Sequence, residues 1–510
     1  VDLPRSTREK PTNQHYGDDN VRYIQAEAGL APRKHCCGIF ELWAVQTAPV
    51  AVGILVDSLS TASVAGFKST PVKTPCQGEP QTGAHYAAAS PNGPGAGSLA
   101  PRLGRCVAQD RPGTAENERT AAPGGAKRGA MKLQTVTYRT ADGWDSPLPA
   151  ALDSGQTFVL AFAAPEFGVD PTPFQELAAA FPQSVLVGCS TSGEIAGTQV
   201  HDASVSVAVA RFERTRLRRA FTAVSSATDS FDAGARLAAQ LAGGDLRAVF
   251  LLSDGLCVNG TPLVDGLARH LPAGVSITGG LAGDGSRFGQ TWVLDRDQPE
   301  ANRVCAVGFY GQRLRVGHGC DGGWSDFGPE RRITRSEGNV LYELDGKPAL
   351  DLYKAYLGER AAELPGTALL FPLSVRREGD GQETLVRTIL GVDEAQQSLT
   401  FAGDMPQGGI ARLMRANTDK LIGSAGHAAR RATRGVSDAD DALVISVSCV
   451  GRRLVLGERT DEEVETVLDS APRRAGHVGF YSYGEISPAV PGGVSELHNQ
   501  TMTVTVFSED

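Results

Sequence analysis

Two distant stretches carry the same chemistry in the same order. Gly188-Cys189-Ser190-Thr191-Ser192-Gly193-Glu194-Ile195 and Gly479-Phe480-Tyr481-Ser482-Tyr483-Gly484-Glu485-Ile486 each combine glycines, hydroxyls and one carboxylate. Glycine lets backbone N–H groups approach a ligand, hydroxyls donate or accept hydrogen bonds, and a carboxylate fixes an amine, a cation or a neighbouring loop. A third relative, Gly279-Gly280-Leu281-Ala282-Gly283-Asp284, keeps the glycines and the acid. Together they could hold a zwitterion. Gly279 and Gly280 with Ser190 and Thr191 would face its carboxylate, Glu194, Asp254, Asp284 or Glu485 its ammonium group, and Gly193 is a further candidate contact. Arg287 and Arg452 are alternative anion anchors. The same residues would equally serve structural turns whose carboxylates cap backbone amides.

Catalysis is the competing class. Cys449 stands beside Gly451-Arg452, and a neighbouring arginine lowers a thiol's pKa. An enzyme could therefore use Cys449 or the Glu194/Glu485 pair. No histidine is placed by the sequence to activate the thiol, and a small packed cysteine is the simpler expectation. Gly188 to Gly193 approaches the Gly-x-Ser-x-Gly elbow of hydrolases, but the spacing is off by one and a strand is expected to follow. The glycines around Gly279 to Gly285 come without a P-loop lysine or a dinucleotide fingerprint. The nine cysteines contain no Cys-x-x-Cys, so reduced thiols and no structural zinc are expected.

Each motif sits where an apolar run ends, and the runs recur. Thr157 to Phe162, Ser184 to Gly188 and Ala203 to Phe212 read as strands around a helix from Pro173 to Phe181. Leu246 to Leu252, a helix from Thr261 to His270, Val275 to Thr278 and Thr291 to Leu294 repeat the pattern. Ala442 to Val447, a helix from Thr460 to Leu468, His477 to Tyr481 and Thr501 to Phe507 give it a third time. The fold class expected is α/β, built from β-α-β-turn-β units whose strand ends converge on one side. Between the second and third units, Cys305 to Tyr310 reads as a strand and Ala349 to Leu357 as an amphipathic helix. Thr384 to Leu390 and Ser398 to Phe401 read as a β-pair, and Asn339 to Asp345 as the link between halves.

The chain has 510 residues, a formal charge of −9, a pI near 5.6 and 6% aromatics. That balance argues against a nucleic-acid binder, and no stretch approaches the ~20 apolar residues of a membrane helix. The N-terminus lacks a signal-peptide pattern, so a cytoplasmic protein without membrane insertion is expected. Residues 1–130 differ from the rest: few periodic apolar segments, no methionine, and a Pro/Gly/Ala/Ser run from Pro91 to Gly129. Such composition buries little and stays disordered. Lys127-Arg128-Gly129-Ala130 before Met131 is what a purine-rich ribosome-binding site would read as in translation. Residues 1–130 are therefore expected to be a disordered or mistakenly translated extension, and the working chain to start at Met131.

These residues resemble a known family. The first motif, Ser253-Asp254-Gly255-Leu256-Cys257-Val258-Asn259-Gly260 and Thr278 to Asp284 resemble the FIST N-terminal domain. Ser448-Cys449-Val450-Gly451-Arg452, the second motif and Glu496-Leu497-His498-Asn499-Gln500-Thr501-Met502-Thr503 resemble its C-terminal partner. The resemblance spans about residue 155 to 507 and gives domains at 131–330 and 331–510. It implies a sensory module of bacterial signal transduction that binds a small ligand such as an amino acid. Partners would be a histidine kinase, as in two-component systems, a cyclic-di-nucleotide enzyme or a chemotaxis protein. It adds Asn259, Tyr481, Tyr483, His498 and Asn499 to the candidate ligand-binding residues. NosP-type relatives bind haem to sense nitric oxide, and His498 would be the axial ligand in that alternative, with His427, His318 and His477 behind it. No cofactor is otherwise expected.

Overall fold

The computed structural model describes residues 131–377, 384–438, 440–490 and 492–510. The N-terminal extension expected at 1–130 lies outside the described residues.

The three sequence units form three sheets of one plan. In the first, a buried lead strand, Thr157–Ala163, runs parallel to a middle strand, Val185–Ser190, across the helix Thr172–Ala180. The second pairs Leu246–Ser253 with Ser276–Leu281 across Gly260–His270. The third pairs Ala442–Cys449 with Ala475–Ser482 across Val450–Leu456 and Thr460–Asp469. A return strand then lies antiparallel to each lead strand: Ser204–Arg211, Arg303–Tyr310 and Met502–Glu509. An outer strand closes each set: Lys132–Arg139, Arg216–Ala223 and Leu314–Asp321.

What the sequence reads as a turn is a hairpin exchanged between sheets. Glu194–Ala196, the first unit's hairpin strand, pairs with the third unit's middle strand. Gly484–Pro488 of the third unit pairs with the second unit's middle strand. Val293–Asp295 of the second unit pairs with the first unit's middle strand and closes the ring. Each sheet thus runs outer, return, lead, middle, then a neighbour's hairpin. A middle strand that would otherwise be an exposed edge is covered by another unit, which ties the three together.

One core fills the space between the sheets. Phe158, Phe162, Phe250, Phe309, Phe480 and Phe507 are almost wholly buried in it, drawn from all three units. Phe162 stacks on Phe480 with centroids 4.6 Å apart, and Phe309 on Phe507 at 4.4 Å. Helices cover the outer faces: Ser230–Leu241 packs with Gly260–His270, and Thr418–Ala432 with Thr460–Asp469.

Three equivalent glycines make the tight lead-to-middle pairing work. A Cβ at Gly188, Gly279 or Gly479 would fall on the carbonyl oxygen of Ala161, Leu251 or Ser446 respectively. Alanine at any of them is expected to cost more than about 2 kcal/mol, because backbone on both sides leaves no flexible side chain to yield. Urea unfolding of the three single variants checks this, and similar losses at all three sites are expected.

A fourth, nine-stranded sheet occupies the chain between the third outer strand and the helix Thr418–Ala432. It includes Arg331–Glu337, Leu373–Arg376, Leu385–Arg387, Ser398–Phe401 and Ile410–Arg415, with Ala349–Leu357 on its apolar face. Two sequence readings change here. Asn339 to Asp345 is no linker: Val340–Leu344 is a strand inside this sheet. The run from Thr384 to Leu390 divides, Leu385–Arg387 pairing with Leu373–Arg376 and Ile389–Asp393 with Ser398–Phe401.

Candidate functional site

The three glycine-rich strand ends converge and bond to one another. Ser192 N donates to Tyr481 O at 2.8 Å, and Tyr481 N donates to Gly193 O at 2.9 Å. Gly283 N donates to Ser190 O at 3.0 Å, and Tyr483 N to Leu281 O at 3.2 Å. Ser192 Oγ accepts from Gly285 N, while Ser190 Oγ accepts from Trp292 N. Ser190 N donates to Trp292 O of the second unit and Gly193 N to Thr191 Oγ1 within its own turn, so both donors are committed. Gly279 and Gly280 lie within the middle strand against backbone and core, so neither presents an open face.

The acids of these turns fasten the return strands. Glu194 Oε2 accepts from Ser204 N at 3.1 Å and Ser204 Oγ at 2.8 Å, and its Oε1 is bonded to the Thr191 hydroxyl. Glu485 repeats the arrangement with Thr501 N at 3.1 Å, Thr501 Oγ1 at 2.9 Å and Ser482 Oγ at 2.7 Å. In the second unit Asp254 takes over, accepting from Asn302 N, Leu256 N and Cys257 N. Asp284 accepts from Phe288 N, Gly289 N and Gln290 N and from the Tyr483 hydroxyl. Ala203 and Gln500, each just before a capped amide, and Asn302, whose own amide is capped, all have positive φ, so the chain reverses sharply where the acid holds it. Burial raises Glu194 to about 7 and Glu485 to about 8, with the hydroxyl and amide bonds only partly offsetting it.

The other candidates are placed as follows. Arg452 is fully buried and spent internally: it pairs with Glu463 at 2.5 Å and donates to the carbonyls of Gly322 and Leu421. The Tyr481 hydroxyl donates to the same Glu463 at 2.8 Å. Arg287 is half-exposed and pairs with Glu166 at 2.7 Å. Cys449 is buried, and burial, reinforced by Glu485, pushes its thiol well up, the reverse of activation. Asn499 is buried with neither side-chain atom bonded to a described residue. Asn259 caps the helix Gly260–His270 and donates through Nδ2 to Asp404 Oδ1 at 3.0 Å.

Haem does not fit the histidines as they stand. His498 Nε2 bonds to Ser487 O at 2.8 Å, the ring is buried, and burial lowers its pKa to about 4. His477 uses both ring nitrogens, on Ser446 Oγ and Gly197 O. His427 is exposed and faces Asp321, and none of His498, His477, His427 or His318 lines either cavity described next. Among the described residues no group of three or more His, Cys, Asp or Glu could hold a metal ion.

Among the described residues two cavities of more than 500 Å³ stand out. One cavity of about 550 Å³ adjoins the strand ends and is bordered by Ser192, Gly285, Val450, Arg453 and Asp461. Arg453 is engaged there with Asp202 at 2.7 Å and with Ser192 O at 2.6 Å. The other, of about 520 Å³, lies between the fourth sheet and the hairpin of the third unit. Val375, Leu385, Arg387, Asp404, Met405 and Glu496 line it, and Asn259 reaches it through Asp404. Sequence reasoning passed over Arg387. The signal was present: Leu385, Arg387 and Ile389 alternate along the sequence, and a cation between two apolar residues there asks for a partner.

Residues 157–347 match the FIST N domain and residues 349–488 match the FIST C domain. The chain belongs to the FIST family. FIST domains are sensor domains associated with small-ligand binding in signal transduction. In this FIST protein the junction between the two matches falls inside the fourth sheet, so the sheet carries part of each. An uncharacterised protein of Methanocaldococcus jannaschii is 26% identical over 218 residues, covering 40% of this chain and 41% of that relative. The match thus spans well under half the length of that protein. A crystal structure of cyanuric acid hydrolase from A. caulinodans aligns over 74% of this chain and 99% of its own, at 10% identity and a TM-score of 0.29. A likeness that weak carries no argument about activity. Among the described residues no helix is long and apolar enough to cross a membrane.

Proposed function

We propose that this FIST protein is a non-catalytic cytoplasmic sensor. Its ligand is an amino acid or a similar small molecule, and its signal passes to a partner chain such as a histidine kinase, a cyclic-di-nucleotide enzyme or a chemotaxis protein. The observation that carries the reading is the cavity of about 520 Å³ between the fourth sheet and the third unit's hairpin. A ligand there touches two parts of the fold at once, so its binding energy acts on their arrangement. The groups a covalent enzyme would need are elsewhere and engaged. Cys449 is a buried, unactivated thiol, and Glu194 and Glu485 hold backbone and hydroxyl groups. The described cysteines are free, and four of the five are buried as packing residues, which suits a reducing compartment.

A thermal-shift panel of the twenty amino acids and small organic acids tests the reading. A ligand at a hundred times its dissociation constant adds about 2.7 kcal/mol, which moves the melting temperature by several degrees. A selective shift by one chemical group of compounds is expected. No shift from any member overturns it.

A further inference from the structure

Among the described residues two arginines are buried, and they are treated differently. Arg452 meets a carboxylate, Glu463, at 2.5 Å. Arg387 is 2% exposed and meets only carbonyls: Nε donates to Asp404 O at 3.1 Å, and Nη1 to Leu497 O at 3.1 Å and Val386 O at 3.4 Å. Among the described residues no carboxylate lies within ion-pair distance of it, although Asp404 and Glu496 are near enough to favour its charged form, and its hydrogen bonds come from Nε and Nη1 rather than Nη2. Burial lowers its pKa to about 10, so it stays charged at neutral pH. A buried guanidinium that no carboxylate touches is costly. Residues that serve packing alone do not normally bear that cost.

The surroundings suit an occupant that supplies the anion. Arg387 lines the 520 Å³ cavity, a volume in the range of small-molecule sites. Gly403 packs against the guanidinium, where a Cβ would sit 3.0 Å from Nε, so a side chain there would displace the fork. The remaining walls are mixed: Leu385 and Met405 lie inside and Val494, 70% exposed, at the rim, with Asp404, Glu496 and Arg377 among them. A planar fork beside apolar side chains is an arrangement that recognises a carboxylate attached to a hydrocarbon body.

We propose that this cavity is a carboxylate site in which Arg387 holds the acid group of a small organic ligand and Leu385, Met405 and Val494 contact its apolar body. The proposal rests on the sensor reading and names the anchor within it. Titration calorimetry on the full chain at pH 7 tests it with 4-methylpentanoate, leucine, leucinol and inorganic phosphate. Both carboxylates are expected to bind one to one, with leucinol at least about 30-fold weaker because it leaves the buried cation unpaired. Arg387→Met should weaken the carboxylates by about 100-fold or more, and Arg387→Lys, which keeps the charge and loses the fork, by about 10-fold. Val494→Trp, on the exposed rim, should weaken both without changing the melting temperature, and it decides the matter if Arg387→Met does not fold. Leucinol binding as tightly as leucine, carboxylate binding unchanged in Arg387→Lys and Val494→Trp, phosphate binding as tightly as the organic acids, or no carboxylate binding at all would each overturn the proposal. The two readings fail separately: a panel shift that survives Arg387→Lys and Val494→Trp removes this site and leaves the sensor.

Discussion

Arg452→Met is expected to cost about 3–5 kcal/mol of folding stability, the usual price of leaving one half of a buried ion pair without the other. The guanidinium joins Glu463 to the carbonyls of Gly322 and Leu421 and to Ser424 Oγ. It therefore ties the end of the third lead strand to the helices Thr418–Ala432 and Thr460–Asp469. Without it Glu463 keeps only the Ser448 and Tyr481 hydroxyls, and the orphaned charge must ionise in the core or take up a proton. Glu463→Leu alone should be comparably harmful. The double variant should recover a large part of the loss, because it removes both charges together. Urea unfolding of the three variants measures this, and additive losses would contradict the coupling.

The second large effect is a proton linkage at the exchanged hairpins. Glu194 and Glu485 have an ordinary value of 4.5 and are raised by burial to about 7 and about 8 in the fold. Below pH 4.5 both folded and unfolded chains carry the protons, and nothing is lost. From there upward the unfolded chain releases protons that the folded chain keeps, so stability falls with rising pH. The loss is complete once the folded groups ionise, near pH 7 and 8. At about 1.4 kcal/mol per unit, each group accounts for roughly 3–5 kcal/mol of this fall. His477 and His498, both lowered to about 4 by burial, act in the opposite sense below pH 6.5, where the unfolded imidazoles take up protons first. Glu194→Gln with Glu485→Gln isolates the carboxyl part, since the amide can replace the neutral acid in each set of bonds. The double variant is expected to equal wild type near pH 5 and to exceed it at pH 8.5. Parallel stability curves across that range would contradict the assignment.

Much of the fold is legible in the sequence because it is written in local pattern. The lead strands are mostly apolar, as strands covered on both faces are, and the helices at 172, 260, 349 and 460 follow from apolar spacing, with Asn259 capping the second. The recurrence of Gly188, Gly279 and Gly479 marks equivalent positions in three units. Which sheet each hairpin joins is a different kind of fact. Glu194–Ala196 would make as good a strand beside its own sheet as beside the third unit's. Only the tertiary fit around the phenylalanine core decides, and no residue spacing records it. The helix Thr418–Ala432 escaped notice because its buried stripe is built from Ala425, Ala428, Ala429 and Ala432, which weigh little against its arginines.

The candidate site was legible in one sense and obscured in another. Hydroxyl, glycine and acid in fixed order are as well suited to fastening a strand end as to holding a zwitterion. Burial separates the two uses, and burial is not written in a motif. Glu194 and Glu485 recur because the hairpin exchange needs a staple at each return. Arg387 gives no motif at all, only a charge between apolar residues, and its meaning depends on which groups from elsewhere in the described fold touch it, carbonyls rather than a carboxylate.

Hydrogen exchange of the full chain, with and without saturating leucine, tests the central claim most directly, because it reports where a ligand orders the backbone. The account predicts added protection at 385–387, 403–407 and 494–498, with the strand ends at 190–194, 282–290 and 481–485 unchanged. Protection confined to those strand ends would place the ligand among the acidic turns and contradict it.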